Sequence, residues 1–181
     1  MEDSQIIELY RQGEQRQAFN LMVRKYSERL YCIIRNIVHT HDETDDVLQN
    51  TWIKVWGALD TFREDAKLYT WLYRIATNEA LSALKKDRFK AFVSMSDYSK
   101  EIEGSLMYDE SFNGDKLQLA LQKAIAKLPP KQKAVFTLRY FDELPYEEIA
   151  GILGSSESSL KTSFHYAREK VLKEMEKNVD I

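Results

Sequence analysis

Apolar residues recur along this chain at steps of three and four, the period of an amphipathic helix rather than of a strand. After a polar start, the first long stripe is Phe19, Val23, Tyr26, Leu30, Ile33 and Ile37, with Cys32 beside it as a small core filler. Asp42 is the expected N-cap of a second helix, whose first turns hold Thr44, Asp45 and Asp46, where negative charge suits the helix dipole. That helix runs through Val47, Leu48, Trp52, Val55, Trp56 and Leu59. A loop at 60–65 leads to a third helix that faces the core with Leu68, Leu72, Ile75 and Ala76 and ends near Lys85, Lys86 and Asp87. From 88 to 116 the period is lost in a mixture of Ser, Asp, Glu and Gly, which reads as a flexible or partner-ordered linker. Its aromatics Phe89, Phe92, Tyr98, Tyr108 and Phe112 exceed what a spacer needs, and suit either a partner surface or a neighbouring helix. Helical period returns at 117–128 and stops at Pro129 and Pro130, because the residue before a proline is pushed to extended backbone. The expectation is an all-α chain of two small helical domains, 1–87 and 117–181, joined by the linker 88–116.

After a further helix through Val135, Leu138 and Tyr140 comes LPYEEIAGILGSSESSLKTSFHYAREKV, residues 144–171, the pattern of two short helices around a tight turn. Ala150 is small enough for a second helix to cross close over it. Gly154 can adopt left-handed backbone, and Ser155 and Ser156 follow as N-cap candidates. Leu160, Phe164, Ala167, Val171 and Met175 then form one apolar stripe. Ser158, Ser159, Lys161, Thr162, His165 and Arg168 lie on the opposite face and can donate to phosphates and base edges. A helix-turn-helix is predicted, with an ordinary helical hairpin as its rival.

Charge qualifies that picture. Residues 1–87 carry a net −2, residues 88–116 a net −2 and residues 117–181 only +1. Free-standing DNA binders usually show a stronger basic footprint, so this chain needs a partner that supplies affinity. No apolar run approaches the length of a membrane span, and the N-terminus lacks a signal-peptide pattern. One cysteine excludes an internal disulfide framework and suits a reducing cytoplasm. No phosphate loop or nucleophile motif appears, and His39 and His41 lack cysteines to complete a zinc set. Neither a catalytic set, a metal site, a cofactor nor a small-molecule substrate is expected. The acidic pairs Asp45–Asp46 and Glu147–Glu148 are explained by the starts of helices.

Once Leu68, Leu72, Ile75 and Ala76 fill the core face of the third helix, Tyr69, Thr70, Tyr73, Arg74 and Asn78 remain for other faces. Aromatics interleaved with Arg and Asn suit unpaired bases, which stack on rings and offer their edges to an amide. The alternative is that Trp71 and Tyr73 pack between helices. TDDVLQNTWIKVWGALDTF followed by YTWLYRIATNEALSAL resembles the first domain of bacterial sigma factors, and ALQKAIAKLPPKQKAVFTLRYFDELPYEEIAGILGSSESSLKTSFHYAREKVLKEM is similar to their last domain. The resemblance is to the extracytoplasmic-function (ECF) group of the sigma-70 family, which keeps only these two domains and a linker. WLYRIATN, KLPPKQKAVFTLRYFDEL and YEEIAGILG in this order make it specific.

The resemblance implies roles residue by residue. Asp46, Gln49 and Asn50, with Trp52 in support, match the helix that docks on core RNA polymerase; the family usually has glutamate where Asn50 stands. Phe62 and Asn78 match the pocket that captures a flipped base of the −10 element, with Arg63, Tyr73 and Arg74 beside it. Ser156, Ser158, Ser159, Lys161, Thr162, His165 and Arg168 match the reader of the −35 element. Ser163 and Tyr166 replace arginines common in relatives, and Pro145 replaces a serine cap, a change that helix starts tolerate. The implied partners are core RNA polymerase, promoter DNA and a membrane-bound anti-sigma factor, with no membrane insertion by this chain. Polymerase would also supply the affinity that the weak charge withholds. Two rival functions are a conventional helix-turn-helix regulator acting without polymerase and a helical protein-interaction module.

Overall fold

A computed structural model describes residues 2–62, 66–90 and 115–178, together with Ile102, Gly104 and Leu106. Among these residues the chain is all helical, with α1 (Asp3–Arg11), α2 (Gln15–Val38), α3 (His41–Ala58), a 3-10 turn (Leu59–Thr61), α4 (Leu68–Lys90), α5 (Lys116–Ala126), α6 (Pro130–Tyr140), α7 (Tyr146–Leu153) and α8 (Glu157–Asn178). Helices α2, α3 and α4 pack on one another, with α1 laid against α2. Helices α6 and α7 close over α2 and α4, and α8 holds α5, α6 and α7 together.

The start of the chain is not the expected polar turn. Glu2 and Gln5 cap a helix reciprocally, with Gln5 Oε1 accepting from the Glu2 N–H at 3.1 Å. Asp3 then ties α1 to α2, accepting from the Tyr26 hydroxyl at 2.7 Å and from Lys25 Nζ at 2.7 Å. Ile6 is fully buried by this packing. Its arrival rotates the inward stripe at the start of α2 by one residue, so Ala18 and Met22 are buried while Phe19 and Val23 are half-buried. From Tyr26 through Leu30, Ile33 and Ile37 the expected stripe holds.

Other expectations are corrected at the same level. Cys32 is exposed rather than a core filler, because Ile33 and Ile34 take the inward positions next to it. Thr40, not Asp42, is the N-cap of α3, because His39 adopts left-handed backbone (φ 71°) and α3 starts immediately after, at His41. Trp56 does not join Val47, Val55 and Leu59 in the core; it is 47% exposed and edges onto Phe19 at 5.1 Å. Helix α4 runs on to Lys90, past the expected stop near Lys85–Asp87.

Residues 88–90 of the expected linker continue α4, and Asp115 caps α5 by accepting from the Leu117 and Gln118 N–H groups at 3.1 and 3.0 Å. Within that segment Ile102 and Leu106 are helical and buried. The side chains of Phe89, Phe92, Tyr98, Tyr108 and Phe112, assigned above to a partner or a neighbouring helix, lie outside the described residues.

Among the described residues, two buried clusters join helices. The smaller joins Ala124, Ile125, Leu128, Phe136, Ala167 and Val171, binding α5 and α6 to α8. The larger is not confined to the first block: Ala134, Val135, Leu138, Ile149, Ile152 and Leu160 belong to the same cluster as Leu30, Ile33, Leu72 and Ala76.

Candidate nucleic-acid interface

The helix-turn-helix forms where the pattern placed it. Pro145 is the N-cap of α7 in extended backbone (φ −66°, ψ 152°), and its carbonyl accepts from the Glu148 and Ile149 N–H groups. Gly154 ends the helix in the left-handed region (φ 62°), and its N–H is bonded to the Ala150 carbonyl at 2.9 Å. Ser156 Oγ accepts from the Ser159 N–H at 3.3 Å, so the first residue of the expected −35 set serves also as a cap for α8. Leu160, Ala167 and Val171 are buried, with Phe164 and Met175 half-buried, while Ser158, Ser159, Lys161, Thr162, His165 and Arg168 are all exposed. Tyr166, one of the arginine replacements, is also exposed and sits edge-on to His165 at 5.6 Å.

Helix α3 presents a second face. Asp46, Gln49 and Asn50 are exposed on it, and Trp52 is half-buried behind them, edge-on to Phe19 at 5.8 Å. Ile53, 62% exposed, lies on the same helical face as Gln49 and Asn50. Sequence reading missed Ile53, although its signal was present: it falls out of register with the inward stripe of Val47, Thr51 and Val55.

The third set, on α4 and the turn before it, is split. Arg74 and Asn78 are exposed; Phe62 is half-buried with its ring 5.2 Å from that of Trp71. Arg63 lies outside the described residues. Tyr73 is not displayed for bases in this conformation: it is 3% exposed, covered by α6, α7 and their connecting loop. With Arg29, Tyr69, Phe141, Asp142 and Leu144 it lines a cavity of about 360 Å³ at the seam between the two blocks. Burial pushes the Tyr73 hydroxyl up to about 12, assisted by the neighbouring Asp142 charge. Burial likewise raises the Asp142 carboxyl to about 6, against a smaller opposing pull from Arg29.

The family description "Sigma-70 region 2" matches residues 22–90, and "Sigma-70, region 4" matches residues 118–171. The chain is 32% identical over 186 residues to the RNA polymerase sigma-H factor of Pseudomonas aeruginosa, covering 97% of this chain and 94% of that one. It is 33% identical over 177 residues to the ECF RNA polymerase sigma-E factor of Escherichia coli K12, covering 93% and 92%. Among solved structures it shares the fold of the sigma factor RpoE bound to the anti-sigma factor NepR from Bartonella quintana (TM-score 0.69, 22% identity, 90% of this chain and 98% of that one). It also shares the fold of CnrH bound to the cytosolic domain of CnrY (TM-score 0.64, 22% identity, 91% of each chain). With the helix-turn-helix, the α4 face and near-complete alignment all present, the chain belongs to the ECF group of the non-catalytic sigma-70 family and acts with RNA polymerase at promoters to initiate transcription.

Proposed function

We propose that residues 1–87 bind core RNA polymerase and read the −10 element, that 117–181 read the −35 element, and that 88–116 connect them. The single observation that carries the −35 assignment is the two-sidedness of α8. One face is anchored by Leu160, Ala167 and Val171, and the other exposes Ser158, Ser159, Lys161, Thr162, His165 and Arg168 directly after a left-handed Gly154 turn. Lys161 and Arg168 grip phosphates, while the hydroxyl, imidazole and Ser156 groups stand at base edges or phosphates. On α3, Asp46, Gln49 and Asn50 meet polymerase, with Ile53 adding an apolar contact and Trp52 bracing the face from behind. On α4, Asn78 and Phe62 form the base pocket, and Arg63, Tyr73 and Arg74 attend the backbone or adjacent bases.

An anti-sigma factor is the proposed regulator, supported by the two solved relatives of this fold, each described with such a partner or with a cytosolic domain. The chain works in the cytoplasm; among the described residues no helix is long and apolar enough to cross a membrane.

The test is run-off transcription from genomic fragments with core RNA polymerase, with and without the chain. New discrete start sites are expected only when the chain is present. Lys161→Ala and Arg168→Ala should each weaken initiation at all sites and reduce the salt slope by about one. Asn78→Ala should impair opening more than docking. Unchanged initiation in all of these variants would overturn the residue assignments.

A further inference from the structure

Glu148 belongs to α7, yet its carboxylate is held by the opening of α4. Lys67 Nζ lies 2.7 Å from Oε1, and the Tyr69 hydroxyl donates to Oε2. Lys67 also stands 5.6 Å from the centre of the Tyr69 ring. Lys67 first, and Tyr69 second, hold the Glu148 carboxyl below the ordinary carboxylate range, so it is an anion at neutral pH. The Lys67 ammonium beside the Tyr69 hydroxyl, with Tyr69 one turn before Tyr73, is a donor set suited to a DNA backbone phosphate.

We propose that Lys67 and Tyr69 form a phosphate-binding position for the unwound −10 strand, and that Glu148 fills it in the free chain as an internal phosphate mimic that keeps α7 closed over α4. The proposal rests on the reading of α4 as the −10 face. Its geometry is independent of that reading. A Cβ on Gly151 would lie 3.5 Å from Thr70 Cγ2, and one on Gly154 would lie 4.0 Å from Arg74 Nη2. Ile149 and Ile152 are buried in the cluster that contains Tyr73. A strand therefore reaches Tyr69, Thr70 and Tyr73 only after α7 leaves. The outer face of α8 stays exposed throughout, so closure hides one DNA-binding face and leaves the other open.

The experiment uses the full chain with Cys32→Ser, carrying Thr70→Cys and Gly151→Cys so that an oxidant can lock α7 to α4. Binding is read with a fluorescein-labelled single-stranded oligonucleotide of mixed sequence, and with a duplex of the same sequence. The locked chain should bind the single strand roughly tenfold more weakly, recover on reduction, and hold duplex unchanged. In the unlocked chain, Glu148→Gln should tighten single-strand binding roughly fivefold. Glu147→Gln, the same charge change on an exposed neighbour, should leave it nearly unaltered. A lock that forms without weakening single-strand binding overturns the proposal, as does failure of the cysteines to crosslink. If Arg74→Ala and Asn78→Ala leave single-strand binding of the reduced chain unaltered, the −10 reading itself fails and takes the proposal with it.

Discussion

Individual residues in this protein carry opposite pH signs at the seam. His39 is fully buried, and neither ring nitrogen finds a hydrogen-bond partner among the described residues. Burial, then the nearby Lys133 and Arg35 charges, hold its pKa well below the usual 6.5. A base depressed on folding contributes stability that is present above 6.5 and lost as pH falls below it. The urea midpoint should therefore drop on acidification, and less so in His39→Asn, which tolerates the left-handed backbone at this position. Asp142 acts the other way. Its carboxyl is raised to about 6 from 3.8, so the folded chain retains a proton that the unfolded chain has lost, and stability falls as pH rises across that interval. Asp142→Asn should raise the melting temperature at pH above about 7 by a few degrees, roughly 1 kcal/mol after allowance for solvent, with the gain fading toward pH about 4. A gain of equal size at both ends of that range would contradict the assignment. Neither group was legible as a sensor in the sequence, because burial by a distant helix is what shifts both.

At the scale of elements, local chemistry and tertiary contact divide the work. The α7–α8 turn was readable because Gly154, the Ser156 cap and the Leu160 stripe are short-range signals that agree with one another. Gly154→Ala should cost about 1 kcal/mol through its positive φ, seen as a lower melting temperature with the fold retained. Helix α3 shows the reverse. Trp56 is one of its apolar positions and is exposed, while Ile53 interrupts the polar face and stays outside. Ile53→Asp should leave the melting temperature nearly unchanged, as surface substitutions do, yet weaken core polymerase binding about tenfold or more in a fluorescence titration. A large loss of stability instead would make Ile53 a structural residue. Helix α1 escaped notice because its single fully buried side chain, Ile6, gives no stripe; Glu2, Gln5 and the Asp3–Tyr26 bond hold it instead.

Across the whole molecule, the two blocks share a core. Ala134, Val135, Leu138, Ile149, Ile152 and Leu160 are buried with the side chains of α2 and α4, and Gln122 Nε2 donates to Asn36 Oδ1 at 2.9 Å across the same seam. Calorimetry should accordingly show one cooperative transition. Leu138→Ala, which empties a fully buried position, should lower all of it by about 2–5 kcal/mol. Two independent transitions, only one of them shifted by this substitution, would show that the blocks do not share a core in solution. Periodicity alone determined helices α2 to α8 and the outward face of α8, since each depends on residues three or four apart, and Gly154 with the Ser156 cap supplied the turn. The motifs in their order carried the family. The fate of Tyr69 and Tyr73 was left open, because an aromatic beside Arg and Asn fits a base or a helix equally well. Only tertiary structure shows where they lie in this conformation: α7 lies on α4, Glu148 takes Lys67 and Tyr69, and Tyr73 is buried. These contacts join residues about eighty positions apart, a separation over which no local pattern specifies a partner.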